Sequence, residues 1–181
     1  MSQETALRDI LRLLAKLDIE YMLTGSYASN IYGRARSTFD ADVVIALVDA
    51  QLKRLLVSLG KDFYVDAENM RDAREAGGQF NAIHRPTGLK IDFYLAQDER
   101  DRTALRRRKT FPIWNTRISV IAPEDLMLAK LAWARKGESG RQIEDARGIY
   151  EVQKGDLDIG YLKSEADRLG LKDLLDRAGV E

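Results

Sequence analysis

The segment at residues 40–47 constrains the fold most, because the chain is almost continuously apolar after Asp42. Val43, Val44, Ile45 and Leu47 follow with a single alanine between them. Such a run predicts a β-strand that is covered on both faces, as in a sheet with helices packed against it. The chain is therefore expected to combine strands and helices in one core.

The rest of the chain up to residue 122 mixes helices with short strands. An apolar stripe at helical spacing predicts a first helix, and its members are Leu7, Ile10, Leu11, Leu14 and Leu17. Two further helices are predicted at residues 50–59, with Asp49 as the N-cap, and at residues 67–76. Strands are predicted at residues 19–24, 40–47, 62–65, 79–84, 89–95, 111–114 and 118–121.

From Pro123 onward the chain is predicted to be helical. Proline in a first turn, followed by Glu124 and Asp125, is typical of a helix N-terminus. Helical spacing of apolar residues recurs at residues 126–134, 143–150, 162–169 and 171–178. We predict an α/β core at residues 1–122 with a helical part at 123–181 packed on it, or a single domain comprising both.

Composition limits the kinds of site that the chain can build. It has no cysteine and one histidine, so a metal must be held by oxygen atoms or by His84. Basic and acidic residues number 29 each, which gives no overall attraction for nucleic acid or an anionic membrane. Every apolar run is well short of the roughly 18 residues of a membrane span. We expect a cytoplasmic protein with no membrane partner.

Asp40 and Asp42 form the first candidate site. Residues two apart in a strand project from the same side, so the two carboxylates are expected to lie together. Adjacent like charges are costly for a purely structural purpose but suit Mg²⁺, which prefers oxygen ligands and takes one or two carboxylates plus substrate phosphates. On its own, the pattern is more often a solvated surface pair.

Gly25 and Ser26 form a second candidate site, where a predicted strand turns into a helix. Backbone N–H groups and a serine hydroxyl at such a turn can hold phosphate oxygens, and glycine lets the phosphate approach closely. Alone, Gly-Ser is an ordinary turn. Thirteen residues separate Ser26 from Asp40, enough for a short helix and a return to an adjacent strand.

Taken together, the two patterns resemble a known signature. Thr24-Gly25-Ser26 and residues 32–42, Tyr-Gly-Arg-Ala-Arg-Ser-Thr-Phe-Asp-Ala-Asp, resemble the G-S-x(n)-D-x-D motif of the DNA polymerase β nucleotidyltransferase superfamily. Within it they are most similar to the bacterial minimal and AbiEii-like (type IV toxin) branch. The resemblance implies an α/β (α+β) nucleotidyltransferase fold, with a small mixed β-sheet flanked by helices and an all-helical C-terminal part.

The resemblance also implies a third acid on a neighbouring strand. Asp92 matches it, because it alternates with Ile91 and Phe93 and would face away from them. Asp40, Asp42 and Asp92 would then be the catalytic residues and the ligands of two Mg²⁺ ions, with Mn²⁺ as an alternative. The implied reaction moves a nucleoside monophosphate from an NTP to a hydroxyl of a protein, an RNA or a small molecule, and releases pyrophosphate.

Gly25, Ser26, Arg36, Lys130 and Asp145 are the candidate nucleotide-binding residues. Lys130 is the one polar residue within the apolar stretch at 126–134, so it either needs an anionic partner or extends outward to solvent. That partner is either the triphosphate, which similar lysines contact in the toxin branch, or an acid on the next helix, Asp145 or Glu144. Asp145 is analogous to an acid in the toxin branch's C-terminal motif, and Arg36 is either a phosphate contact or an ordinary loop charge.

Alternatives remain open for the acceptor and for the activity. The basic run at residues 106–109 would suit RNA phosphates, although a solvated helix end is the more ordinary explanation. The alternative functions are a non-catalytic nucleotide-binding or toxin–antitoxin component, which would have a cognate antitoxin partner, and a metal-dependent phosphohydrolase that uses the same carboxylates.

Overall fold

A computed structural model describes residues 2–137 and 139–180. The chain divides into two compact units. Unit 1 comprises Met1–Thr24 and Thr38–Val120, and unit 2 comprises Gly25–Ser37 and Ile121–Glu181. The sequence predicts a division between residues 122 and 123 along the chain, whereas unit 2 also includes the segment at 25–37.

Unit 1 contains a mixed sheet that, among the described residues, has seven strands. These are β1 (Glu20–Thr24), β2 (Asp40–Ala46), β3 (Phe63–Val65), β4 (Gln79–His84), β5 (Lys90–Leu95), β6 (Lys109–Ile113) and β7 (Thr116–Val120). Their order across the sheet is β3-β4-β5-β2-β1-β7-β6. The central strand β2 runs parallel to β5 and antiparallel to β1. This mixed sheet confirms the predicted fold class.

Helices account for most of the remaining chain. They are α1 (Gln3–Lys16), α2 (Gly25–Tyr32), α3 (Asp49–Leu59), α4 (Ala67–Ala76), α5 (Glu99–Arg107), α6 (Pro123–Gly137), α7 (Gly140–Gln153), α8 (Ile159–Arg168) and α9 (Lys172–Arg177). The predicted apolar stripe of α1 is buried, as expected. No helix within the described residues is long and apolar enough to cross a lipid bilayer.

Two local predictions about helices in unit 1 need correction. Asp49 is not the N-cap of α3, because Val48 occupies that position and Asp49 begins the first turn, where its charge still suits the helix dipole. Helix α5 was not predicted, because charged residues dominate it and only Ala104 and Leu105 are buried. Its start is marked by Asp98, whose side chain accepts a hydrogen bond from the Asp101 amide.

The core of unit 1 lies on one face of β2 and β5. Val43 and Ile91 are fully buried there, and the rings of Phe80 and Phe93 stack with centroids 5.0 Å apart. Val44, on the opposite face of β2, is also buried, in agreement with a strand covered on both faces. Because side chains alternate along a strand, the same register turns Asp40 and Asp42 away from this core.

In unit 2, the acids at the start of α6 are buried and satisfied by α8. The Asp158 amide donates to Glu124 Oε1 at 2.9 Å, and the Tyr161 hydroxyl donates to Asp125 Oδ1 at 2.6 Å. Glu124 and Asp125 therefore join two helices as well as placing negative charge at a helix N-terminus.

Gly33, which directly follows α2, lies so close to α7 that a side chain there would crowd the α7 backbone. A Cβ added to Gly33 would meet Ile149 N at 3.1 Å and Gly148 C at 3.2 Å, and these are backbone atoms of α7. A Cβ added to Gly148 would meet only side-chain and backbone atoms of Arg34, at 3.7 Å or more. Position 148 therefore has room for a methyl group, whereas a methyl group at position 33 would crowd backbone atoms.

We expect Gly33→Ala to destabilise the protein by about 1–3 kcal/mol, because a helix backbone must move to accept the methyl group. Gly148→Ala is the matched control, since it places the methyl group at ordinary contact distance and removes a glycine from a helix, a change worth about 1 kcal/mol in favour of folding. Urea unfolding measures both. A Gly33→Ala variant that is as stable as the wild type would show that the contact with α7 is not tight.

Candidate functional site

Three acids and a lysine share one face of the sheet in unit 1. Asp42 on β2 lies directly opposite Asp92 on β5, and Asp40 lies opposite Lys90. Residues opposite each other on neighbouring strands project to the same face. We call this face, with Tyr94 of β5, the acid face.

Exposure falls across the acid face from Asp40 to Asp92. Asp40 is exposed, Asp42 is half-buried and Asp92 is only 7% exposed. Asp92 Oδ2 accepts a hydrogen bond from Lys90 Nζ at 2.8 Å, whereas its Oδ1 is buried with no hydrogen-bond partner among the described residues. A buried carboxylate oxygen without a partner is costly, so it indicates a position where a ligand would be stabilised.

Lys90 and Tyr94 are members of this face that the sequence analysis missed. The Tyr94 hydroxyl donates to Asp42 Oδ1 at 3.3 Å, and burial together with the charges of Asp42 and Asp92 raises the pKa of Tyr94. The hydrogen bond to Asp92 raises the pKa of Lys90 against the effect of burial, and the charges of the neighbouring acids add to this. Both could have been found from the sequence, because they lie two residues before and two residues after Asp92 in the same strand and therefore project from the same face.

The donor chemistry of the acid face suits a divalent cation. No group of three or more His, Asp or Glu side chains in residues 2–137 and 139–180 is arranged to hold a metal ion. Mg²⁺ usually takes one or two carboxylates and completes its coordination with water and substrate phosphates. Asp42 and Asp92 are side by side, and Asp92 Oδ1 lacks a partner among the described atoms, so the residues fit a cation of this kind.

Four of the predicted nucleotide-binding residues form one network in unit 2, which we call the Arg36 cluster. Asp145 Oδ2 accepts from Lys130 Nζ at 2.8 Å and from Arg36 Nη2 at 3.1 Å. Arg36 Nη2 also donates to Ser26 Oγ at 2.7 Å. Gly25, the fifth candidate, immediately precedes Ser26 and has a φ of 61°, a conformation that glycine adopts without strain.

The partner of Lys130 is Asp145 and not Glu144. Lys130 is only 4% exposed and its ammonium also donates to Gln142 Oε1 at 3.2 Å. Glu144 pairs instead with Arg147 of the same helix, at 2.8 Å. Of the two acids that the sequence left open, the one on the buried side of α7 is therefore the partner.

The Arg36 cluster carries more positive than negative charge. Burial favours the neutral form of Asp145, but the hydrogen bonds from Lys130 and Arg36 outweigh it and lower the pKa of this carboxyl. One carboxylate thus faces two cations. Arg36 Nε is buried and has no hydrogen-bond partner within the described part of the chain. An anionic oxygen would satisfy this donor.

The basic run at residues 106–109 spans the end of a helix and the start of a strand. Arg106 lies at the end of α5 and pairs with Glu99 at 2.7 Å, whereas Arg108 follows the helix and pairs with Glu20 at 3.2 Å. Lys109 begins β6. The run therefore crosses from a helix to a strand, and two of its cations are paired with acids of the protein.

Comparison with known proteins identifies the fold. No protein-family model matches the sequence, and no curated protein shows detectable sequence similarity to it. An antigenic nucleotidyltransferase-like protein from Paracoccidioides brasiliensis is structurally similar, with a TM-score of 0.64 and 18% identity over 99% of this chain and 93% of that one.

Two antibiotic-related structures are similar as well. ANT(2″)-Ia, solved in complex with adenylyl-2″-tobramycin, has a TM-score of 0.59 and 16% identity over 94% of this chain and 97% of its own. The lincosamide antibiotic adenylyltransferase LnuA, solved with lincomycin, has a TM-score of 0.56 and 12% identity over 82% and 97%. The toxin branch of the resemblance stays a prediction. The mixed sheet and these similarities together show that the chain has the nucleotidyltransferase fold.

Proposed function

We propose that this protein is a nucleotidyltransferase that moves a nucleoside monophosphate from an NTP to a hydroxyl acceptor. The observation that carries the proposal is the acid face, where Asp42 and Asp92 are opposite each other and Asp92 Oδ1 is buried without a hydrogen-bond partner among the described residues. The fold supports it, because it is shared with adenylyltransferases.

Each acid has a proposed role. Asp40, Asp42 and Asp92 would hold two Mg²⁺ or Mn²⁺ ions, and such ions stabilise negative charge on the attacking and leaving oxygens of an in-line displacement. The acceptor oxygen forms a bond to the α-phosphorus while the bond to the β-phosphate oxygen breaks, and pyrophosphate leaves. We assign to Asp92, the most buried acid, either acceptance of the hydroxyl proton or the holding of the second ion.

The Arg36 cluster is proposed to bind phosphate oxygens of the nucleotide. Arg36 and Lys130 supply the charge, and Ser26 supplies a hydroxyl at the start of α2, with the backbone freedom of Gly25 beside it. Asp145 does not contact the phosphates in this proposal. It fixes the directions of the two cations through its hydrogen bonds, which reduces the reorganisation needed on binding.

A small-molecule hydroxyl is the first acceptor class to test. Two structurally similar proteins were solved with lincomycin or with adenylyl-2″-tobramycin. Protein and RNA acceptors are tested beside it. A cytoplasmic location and an antitoxin partner stay predictions from the sequence.

The experiment offers the protein each of ATP, GTP, CTP and UTP, labelled at the α-phosphate, with Mg²⁺ or Mn²⁺. Acceptors are presented as three pools from a cell lysate, namely small molecules, RNA and protein. We expect one nucleotide to label one pool, with no label from the γ-phosphate because pyrophosphate leaves. Nucleotide binding without transfer would indicate a non-catalytic protein, and nucleotide or phosphate release without a labelled acceptor would indicate a phosphohydrolase. Either result would overturn the proposal.

A further inference from the structure

Lys90 is a cation placed among the acids of the acid face. Its ammonium lies 2.8 Å from Asp92 Oδ2, and its residue is the register partner of Asp40. Asp42 acts on it electrostatically as well, so all three acids stabilise its charge. The ammonium is therefore hydrogen-bonded to one oxygen of Asp92, a carboxylate that is proposed to hold metal.

The Lys90–Asp92 pair contributes little as a structural link. Both residues belong to β5, so the ion pair joins no second element of the fold. The Lys90 side chain is 40% exposed, and ion pairs at that exposure are weakened by solvent and salt. Its stronger physical consequence is local, because it offsets negative charge where three carboxylates share one face.

We propose that Lys90 is an internal counter-ion of the acid face, which weakens the binding of a free divalent cation and is displaced when the cation arrives with a nucleotide triphosphate. This inference rests on the proposed function. Lys90 is not among the predicted site residues. In this proposal it determines whether the metal binds as a free ion or as a complex with the nucleotide.

Charge balance gives the physical reason. A free divalent cation bound at Asp92 Oδ1 would lie a few ångströms from the ammonium on Oδ2, where Coulomb repulsion is strong. A triphosphate reduces this repulsion. Its oxygens complete the coordination of the ion, and they offer the displaced ammonium a new anionic partner. The acid face is therefore expected to bind the cation more tightly as a nucleotide complex than as a free ion.

The test measures Mn²⁺ binding to the full chain by the electron paramagnetic resonance signal of free Mn²⁺, with and without a non-hydrolysable NTP. Lys90→Met is expected to bind Mn²⁺ without nucleotide about tenfold more tightly than the wild type, because the competing charge is gone. With nucleotide present, the advantage of the variant is expected to shrink.

Three further variants make the result specific. Lys90→Gln removes the same charge with a polar side chain and is expected to match Lys90→Met, so the test survives if one variant folds poorly. Lys90→Arg keeps the charge, and Lys61→Met removes the charge of an exposed lysine off the acid face. Both are expected to bind Mn²⁺ as the wild type does.

Unchanged, weaker or undetectable Mn²⁺ binding by both neutral Lys90 variants would overturn the counter-ion proposal. The single variant Asp42→Asn, measured beside Lys90→Met, separates this failure from failure of the proposed function. If Asp42→Asn abolishes Mn²⁺–nucleotide binding while Lys90→Met changes nothing, the metal site stands without the counter-ion. If Mn²⁺ binding persists unchanged after Asp42→Asn, the cation is not held by the acid face and the proposed function loses its metal site.

Discussion

Asp42→Asn is expected to lower the rate of nucleotidyl transfer by about 10³-fold or more, because it removes charge that stabilises the transferring phosphate through bound metal. Asparagine has nearly the same shape and keeps an Oδ1 that can accept the Tyr94 hydroxyl hydrogen bond. The loss should therefore come from charge and not from packing. The measurement is the initial rate of α-phosphate label transfer at saturating NTP and Mg²⁺, with the acceptor that the wild type labels.

Stability should respond in the opposite direction to activity. Asp42 lies opposite Asp92, so removing its charge relieves repulsion between like charges. We expect Asp42→Asn to unfold at the same or a higher temperature than the wild type, a separation typical of functional residues. Asp72→Asn, in the exposed part of α4, is the matched control and should change neither property. A loss of transfer below tenfold, or an equal loss in the control, would contradict the role of Asp42.

Lys130→Met is expected to reduce the free energy of unfolding by about 3 kcal/mol, because it removes a buried cation and leaves the half-buried Asp145 carboxylate with one of its two cations. Methionine nearly fills the space of the lysine stem, so a cavity contributes little. Urea unfolding with an unchanged m-value measures the loss. Glu144→Gln is the matched control on α7, since it breaks the exposed pair with Arg147 and should cost at most about 1 kcal/mol.

Two further measurements identify the Lys130–Asp145 ion pair as the cause. Adding Asp145→Asn to Lys130→Met should cost less than the sum of the two single changes, because the hydrogen bond between these side chains is already lost. The second measurement is pH dependence. The pKa of Asp145 is lowered from its ordinary value of 3.8, so its contribution to stability is present above that pH and is lost as the pH falls through the lowered value.

Lys130→Met removes a group that lowers this pKa, so the acid-induced loss of stability should be smaller in the variant and complete at a higher pH. If Lys130→Met is as mild as Glu144→Gln and leaves the acid profile unchanged, Lys130 is not held mainly by Asp145.

The sequence predicted most of the secondary structure and named three of the five residues of the acid face, Asp40, Asp42 and Asp92. Alternation placed Asp40 and Asp42 on one side of β2, and the turn at Gly25 and Ser26 was evident from residue types alone. The prediction failed for α5, because a helix that buries only Ala104 and Leu105 leaves almost no apolar period to detect.

The partners of the site residues were decided by tertiary structure. Asp42 and Asp92 are 50 positions apart, and only the parallel register of β2 and β5 sets them opposite each other. Lys130 could face either Asp145 or Glu144, which are adjacent on α7, and the packing of α6 against α7 selects Asp145.

By itself, therefore, the sequence determined where the acidic and basic side chains occur and which side of their own strand or helix they occupy, because the side follows from backbone periodicity over a few residues. Tertiary structure decided which side chains meet across elements. It set Tyr94 beside Asp42 and joined Ser26, Arg36 and Asp145, because pairing across strands and packing between helices depend on the energies of many distant contacts at once.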